Sequence, residues 1–286
     1  MPARTTTCRC WPRPGAIRPT VAAEAGSILV TVARTEGSVP REVGAWMRVN
    51  VEAVQGTVGG GHLEFDAIAK ARAALGGAPL PDELRYALGP SLGQCCGGVV
   101  WLRFERLAAG EDPAARIAPQ RLRPLALFGA GHVGRAIAKA AVDLPLALHW
   151  LDSRDEMFDG AWSGPLPPGW RLEVSEPAEA AVAALAPGSV VLIMTHNHAE
   201  DFEVLAACLR RQRQQQDLTF IGMIGSATKW ASFRQRLEAR GFSGAERARV
   251  CCPIGVPGVQ GKQPAIIAVA VLAQILALPC WVPSPA

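Results

Sequence analysis

The sequence predicts an α/β protein in two parts: a small N-terminal α+β domain, then a Rossmann-like, doubly wound parallel-sheet domain. Three observations predict it. From Leu125 onward, short and nearly continuous apolar runs alternate with helix-patterned segments, as expected for strands buried on both faces of a parallel sheet. Upstream, strand-like runs are mixed with one clear helical pattern. Between the two lies AAGEDPAARIAPQRLRP, polar and broken by Pro113, Pro119 and Pro124. The expected division is residues 21–107 for the first domain, 108–123 for a linker and 124–286 for the second. Residues 1–20, with Cys8, Cys10 and several prolines, are expected to be a disordered or atypical start and are assigned no function.

The elements follow in order. SILVTVAR (Ser27–Arg34) reads as a buried strand, TEGSVPREVG as a loop and AWMRVN (Ala45–Asn50) as a second strand. QGTVGGGHLEFDAIAKARAAL runs from a glycine turn into a helix with Leu63, Ala67 and Ile68 on one face. RYALGP and GGVVWLRFE are extended segments on either side of a CC turn. In the second half LALFG, ALHWLD, RLEVSE, SVVLIMTH and LTFIGMIG read as strands. HVGRAIAKAAVDL, PAEAAVAAL, AEDFEVLAACLRR and TKWASFRQRLEARG read as helices, the last closed by Gly241. QPAIIAVAVLAQIL is a final helix with Pro264 at its start.

Composition narrows the function classes. The chain has 286 residues, 49% hydrophobic and 19% charged, enough for substantial cores. Its net charge of +4 is mild, and no basic run is interleaved with aromatics, so nucleic acid is not an expected partner. The most apolar run, Ala265–Leu278, is interrupted by Gln274 and too short to span a bilayer. Eight cysteines, four of them in the adjacent pairs Cys95–Cys96 and Cys251–Cys252, do not form a secreted disulfide framework, so a reducing cytoplasmic compartment is expected.

Four motifs carry chemistry. GAGHVG (Gly129–Gly134) follows a strand and opens a helix, and Asp152 ends the next strand 23 residues after Gly129. That context fits a dinucleotide-type fingerprint: Gly129, Gly131 and Gly134 permit close approach to a phosphate, His132 opens the helix, and Asp152 is placed to accept from ribose hydroxyls. NAD, another nucleotide and a different phosphate are all open as its ligand. GTVGGGH places Gly60, Gly61 and His62 at another helix start, read either as an anion nest or as a plain turn. THNHAED offers an H-x-H pair to a metal, but Asn197 capping the next helix, with Glu200 and Asp201 in its first turn, explains the same residues. In LGQCCGGVVWL, adjacent Cα atoms lie about 3.8 Å apart, too close for a relaxed disulfide. Cys95 and Cys96 are read either as packing residues or as thiols presented to a soft partner, a metal centre or sulfur in transit. No Ser–His–Asp order, H-E-x-x-H or P-loop is present, and Tyr86, the single tyrosine, has no evident partner. The reading is therefore a cofactor handler rather than an enzyme, with a nicotinamide-dependent oxidoreductase as the alternative.

Read together, VTVARTEGSVPREVGAWMRV, GTVGGGHLE, LGQCCGGVVWL, LFGAGHVGRAI, WLDSRDEMF, MTHNHAEDFEVL, FIGMIGSATKWASFRQRL and CPIGVPGVQGKQPAIIAVAVLAQIL resemble the XdhC family of accessory proteins for xanthine dehydrogenase. The resemblance runs from about Gly26 to Leu278. It implies a chaperone that binds the molybdenum cofactor (a pterin dithiolene with a terminal phosphate), protects it, and holds it while a cysteine desulfurase adds the sulfido ligand. It also implies insertion of the cofactor into apo-xanthine dehydrogenase, and a homo-oligomer. The resemblance directs Cys95 and Cys96 toward the molybdenum end of the cofactor, or toward the sulfur, and Gly129, Gly131, Gly134 and Asp152 toward its phosphate or a nucleotide form of it.

Overall fold

The computed structural model describes residues 26–89, 97–113, 116–117 and 122–279. The chain divides into two compact units between Pro119 and Gln120. Cys95 and Cys96 lie outside the described residues, as do residues 1–25.

The first unit is a five-stranded antiparallel sheet of order β3-β2-β1-β5-β4 carrying one helix. Its strands are β1 (Ser27–Glu36), β2 (Trp46–Val49), β3 (Val54–Gly56), β4 (Glu83–Ala87) and β5 (Val99–Leu107), and α1 spans Gly61–Leu75. β1 is two residues longer than its apolar run predicts, because β5 continues the ladder as far as the pair Glu36–Val99. β3 was not foreseen: its three residues are all exposed, so they carry no hydrophobic pattern, and only pairing with β2 makes them a strand. On α1, Leu63 and Ala67 are fully buried and Ile68 packs at the margin, against Val30, Met47 and Leu102 of the sheet.

The second unit is a six-stranded parallel sheet. Its elements are β6 (Arg123–Phe128), α2 (His132–Ala140), β7 (Leu146–Asp152), β8 (Arg171–Val174), β9 (Val190–Ile193), α3 (His198–Gln215), β10 (Phe220–Met223), α4 (Ala227–Ala239), α5 (Gly244–Arg247), β11 (Val250–Cys251) and α6 (Pro264–Leu276). The order β11-β10-β9-β6-β7-β8 reverses between β6 and β9, which is the doubly wound arrangement. Two cores flank the sheet. One joins it to α2 and α6 through Leu127, Ile137, Trp150 and Val271. The other joins it to α3 and α4 through Phe128, Phe202, Leu205 and Phe233. PAEAAVAAL is not an α-helix but a 3-10 segment over Ala178–Ala184. Pro187 disfavours the α region at Ala186, so the segment stays a short connector, the setting in which 3-10 turns are frequent. Pro264 does stand in the first turn of α6.

The turn after β6 is the tightest place in the sheet. Gly129 has φ 118°, and a Cβ there would overlap the Met194 carbonyl at the end of β9. A Cβ on Gly134 would overlap the Gly129 carbonyl, which also accepts from Trp150 Nε1 at 3.1 Å. Gly134→Ala is therefore expected to destabilise the protein by about 1–3 kcal/mol or more through overpacking. Urea denaturation measures it, and an unchanged midpoint would contradict the close approach.

Candidate functional site

Open parallel sheets place ligands outside the carboxyl ends of their strands, where the strand order reverses. Here that crevice lies between the ends of β6 and β9. The pairs Leu127–Leu192 and Phe128–Ile193 bring the two ends level, and Met194 N donates to Phe128 O at 2.8 Å. Gly131 caps α2 without a side-chain hydrogen bond, and no acidic residue stands in the first turn. Among the described residues no side chain caps these first N–H groups, and the helix start presents the positive end of its dipole. His132 is exposed at the first helical position. Arg135 fastens the turn, donating to Ala130 O at 3.1 Å and to Met157 O at 2.6 Å.

Asp152 ends β7 beside this turn, as its spacing predicts, but it is 4% exposed. Its Oδ2 accepts from Ala130 N at 2.7 Å and Arg154 Nη2 at 3.2 Å. Its Oδ1 accepts from Arg154 Nε at 2.9 Å and Arg154 N at 3.1 Å. Burial pushes the carboxyl pKa up, but the Arg154 guanidinium and the two amides outweigh it and hold the group below the usual carboxylate range.

Three further sequence segments meet at the same edge. Asp201, in the first turn of α3, is 1% exposed. It accepts from Thr195 N and Thr195 Oγ1, each at 2.9 Å, and from Lys229 Nζ. Lys229, in the first turn of α4, also donates to Ile224 O at 3.1 Å, so one buried ion pair ties the β9–α3 and β10–α4 connections together. The Cys252 thiol, just past β11, comes against Gly225, as does the Lys229 stem. Burial pushes this thiol up to about 11, against the pull of the Lys229 charge. None of Arg154, Thr195 or Lys229 was singled out from sequence. The available signal was composition: Lys229 is one of only four lysines in a chain whose basic residues are otherwise arginine.

The H-x-H segment behaves as a helix start. Asn197 caps α3, its side chain accepting from Ala199 N at 2.8 Å. His196 faces Glu200 at 3.5 Å and His198 faces Asp201 at 3.8 Å. Among the described residues no group of three or more His, Cys, Asp or Glu could hold a metal ion.

In the first unit the GSVPRE loop leaves the end of β1. The pairs Glu36–Val99 and Ala87–Val99 place the start of that loop beside the first residues of β5, where Gly37 approaches Gly98. The glycine turn at Gly60 and Gly61 is already filled: Glu64 Oε2 accepts from Val58 N at 3.0 Å, from Gly60 N at 3.1 Å and from Thr57 Oγ1. The chain's own carboxylate therefore takes the amides that an outside anion would need. His62 is exposed beyond it. Tyr86, expected to stand without a partner, donates to Asp66 Oδ2 at 2.7 Å, and Lys70 pairs with the same carboxylate. Both residues arrive from α1, Asp66 lying 20 residues from Tyr86 in sequence.

Comparison with known proteins matches two family models. Residues 125–275 match the XdhC Rossmann domain, and residues 21–87 match the XdhC and CoxI family. The Escherichia coli K12 protein YqeB, described as uncharacterized, is 31% identical over 255 residues. That alignment takes in 87% of this chain but 42% of YqeB, so the chain spans less than half the length of that relative. A Bacillus halodurans crystal structure described as a xanthine dehydrogenase superposes with a TM-score of 0.68 at 20% identity, over 91% of this chain and 94% of that one, and shows the shared fold.

Two outcomes follow from the carboxyl-edge geometry. Lys229→Met strands a buried carboxylate and is expected to cost about 3–5 kcal/mol, read as a lowered urea midpoint. Cys252 is expected to alkylate at pH 8 much more slowly than a free cysteine, accelerating as the pH rises toward its pKa of about 11. Peptide mapping after iodoacetamide pulses measures this, and labelling at the free-thiol rate would contradict the burial.

Proposed function

The chain belongs to the XdhC family, and from that membership we propose that it acts in the maturation of xanthine dehydrogenase as a molybdenum cofactor chaperone. The observation that carries the proposal is the match of both family models, in order, along one chain. In this reading the protein binds the cofactor, shields it, holds it for sulfuration by a cysteine desulfurase and delivers it to apo-xanthine dehydrogenase. It acts without turnover of its own, in the cytoplasm, as a homo-oligomer.

The chemistry of the described residues supports that cargo. A phosphate-terminated pterin needs donors for an anion, and the start of α2 offers amides with no competing side-chain cap or acidic residue. Between the two glycine turns this favours Gly129–Gly134, because Glu64 already fills the turn at Gly60. For the soft molybdenum–sulfur end we propose Cys95 and Cys96. Asp152 acts here as a positioning residue that holds the Ala130 amide and Arg154 rather than as a direct ligand.

The test is binding of anaerobically prepared molybdenum cofactor to the purified protein, beside Cys95→Ser and Cys96→Ser, followed by transfer to apo-xanthine dehydrogenase. Stoichiometric binding, weakened at least tenfold by a cysteine change, with recovery of dehydrogenase activity, is the expected result. Absence of cofactor binding by the wild-type protein would overturn the proposal.

A further inference from the structure

The turn after β6 and the acidic residue after β7 are the two features by which doubly wound domains hold adenine dinucleotides. The first is present in working form. The second is not. A carboxylate offers about four lone-pair positions, and at Asp152 all four are used: Ala130 N, Arg154 N, Arg154 Nε and Arg154 Nη2. The side chain is 2% exposed, while that of Arg154, which holds it through two side-chain hydrogen bonds, is 29% exposed. A ribose diol arriving at the end of β7 would find no acceptor. To gain one it would have to break a two-pronged, charge-assisted guanidinium–carboxylate pair and replace it with neutral hydroxyl donors, which bond more weakly.

The same pair also makes a poor substitute site for a ribose 2′-phosphate. Arg154 spends its charge on Asp152, so the pair is neutral overall, and Glu156 and Glu200 both act on the guanidinium electrostatically. An additional phosphate here would face two further carboxylates rather than a free cation.

We infer that Arg154 is a specificity-determining residue that closes this crevice to nicotinamide dinucleotides. Arg154 acts by occupying the carboxylate that would otherwise read the ribose. The ligand class left to the crevice is a phosphate ester with no ribose diol at the β7 position. This deepens the proposed function, since it rests on reading the crevice as the cofactor's cleft. Specificity of this kind comes from an element that rejects the wrong ligand, not only from contacts to the right one.

The experiment is calorimetric titration of NAD and of NADP into the full-length wild-type protein, Arg154→Ala and Arg154→Gln, with thermal melting run on each. Wild type is expected to show no NAD or NADP binding at millimolar ligand. Arg154→Ala, which leaves the buried Asp152 carboxylate without its guanidinium and is expected to melt below wild type, is expected in its folded form to gain NAD affinity at least tenfold, because Asp152 is released to the ribose. Arg154→Gln, which cannot form the charged two-pronged pair, keeps the test valid should the alanine variant fold poorly, and is expected to gain affinity in the same direction. Micromolar NAD binding by the wild type would overturn the inference. So would a folded Arg154 variant that still refuses NAD, since exclusion would then reside elsewhere. Molybdenum cofactor binding by the wild type, measured in parallel, reports separately on the proposed function: its loss would sink that reading and leave the NAD result standing.

Discussion

The carboxyl edge of the parallel sheet depends on the buried carboxylate of Asp152. It receives the Ala130 amide from the glycine turn and the Arg154 guanidinium from its own strand end, so one side chain joins the turn after β6 to the connection after β7. A charge in this position is costly unless every lone pair is met. Here every one is met, and the consequence is that an apparent ligand-binding residue has become part of the frame. What remains open toward solvent is the uncapped start of α2.

A parallel constraint acts one strand further along. Asp201 and Lys229 form a second buried pair, and Thr195 completes the acceptors of Asp201. The β9–α3 and β10–α4 connections are thereby held against each other, while Gly225, with no side chain, lets Lys229 and Cys252 approach the same point. Two satisfied charge pairs thus frame the carboxyl edge of the sheet on either side of the crevice.

The two glycine turns show how similar local sequence reaches opposite outcomes. GTVGGGH and GAGHVG both precede helices and both read as anion sites. In the first, Glu64 lies four residues past Gly60 and folds back onto the amides of Val58 and Gly60. In the second, the equivalent stretch of α2 carries no acidic residue, and Arg135 reaches instead for the Ala130 and Met157 carbonyls. One carboxylate in the first helical turn separates a filled nest from an open one.

The sequence by itself determined the two-part architecture, most strands and helices, the Asn197 cap, the Gly129–Gly134 turn and the place of Asp152 at a strand end. These rest on local periodicity, on capping chemistry and on glycine spacing, all of which act within a few residues. It could not determine β3, whose residues carry no buried face, or the 3-10 form of Ala178–Ala184, which the apolar spacing of so short a run does not distinguish from an α-helix. Nor could it show which polar groups were spent. Asp152 and Arg154 are near neighbours in sequence, yet their pairing matters only because β6 brings the Ala130 amide to the same carboxylate. Asp201 meets Lys229 across 28 residues, and Tyr86 meets Asp66 across 20. Whether a polar side chain is available to a ligand depends on partners that only tertiary packing delivers, and that availability, rather than residue identity, decides what the crevice can recognise.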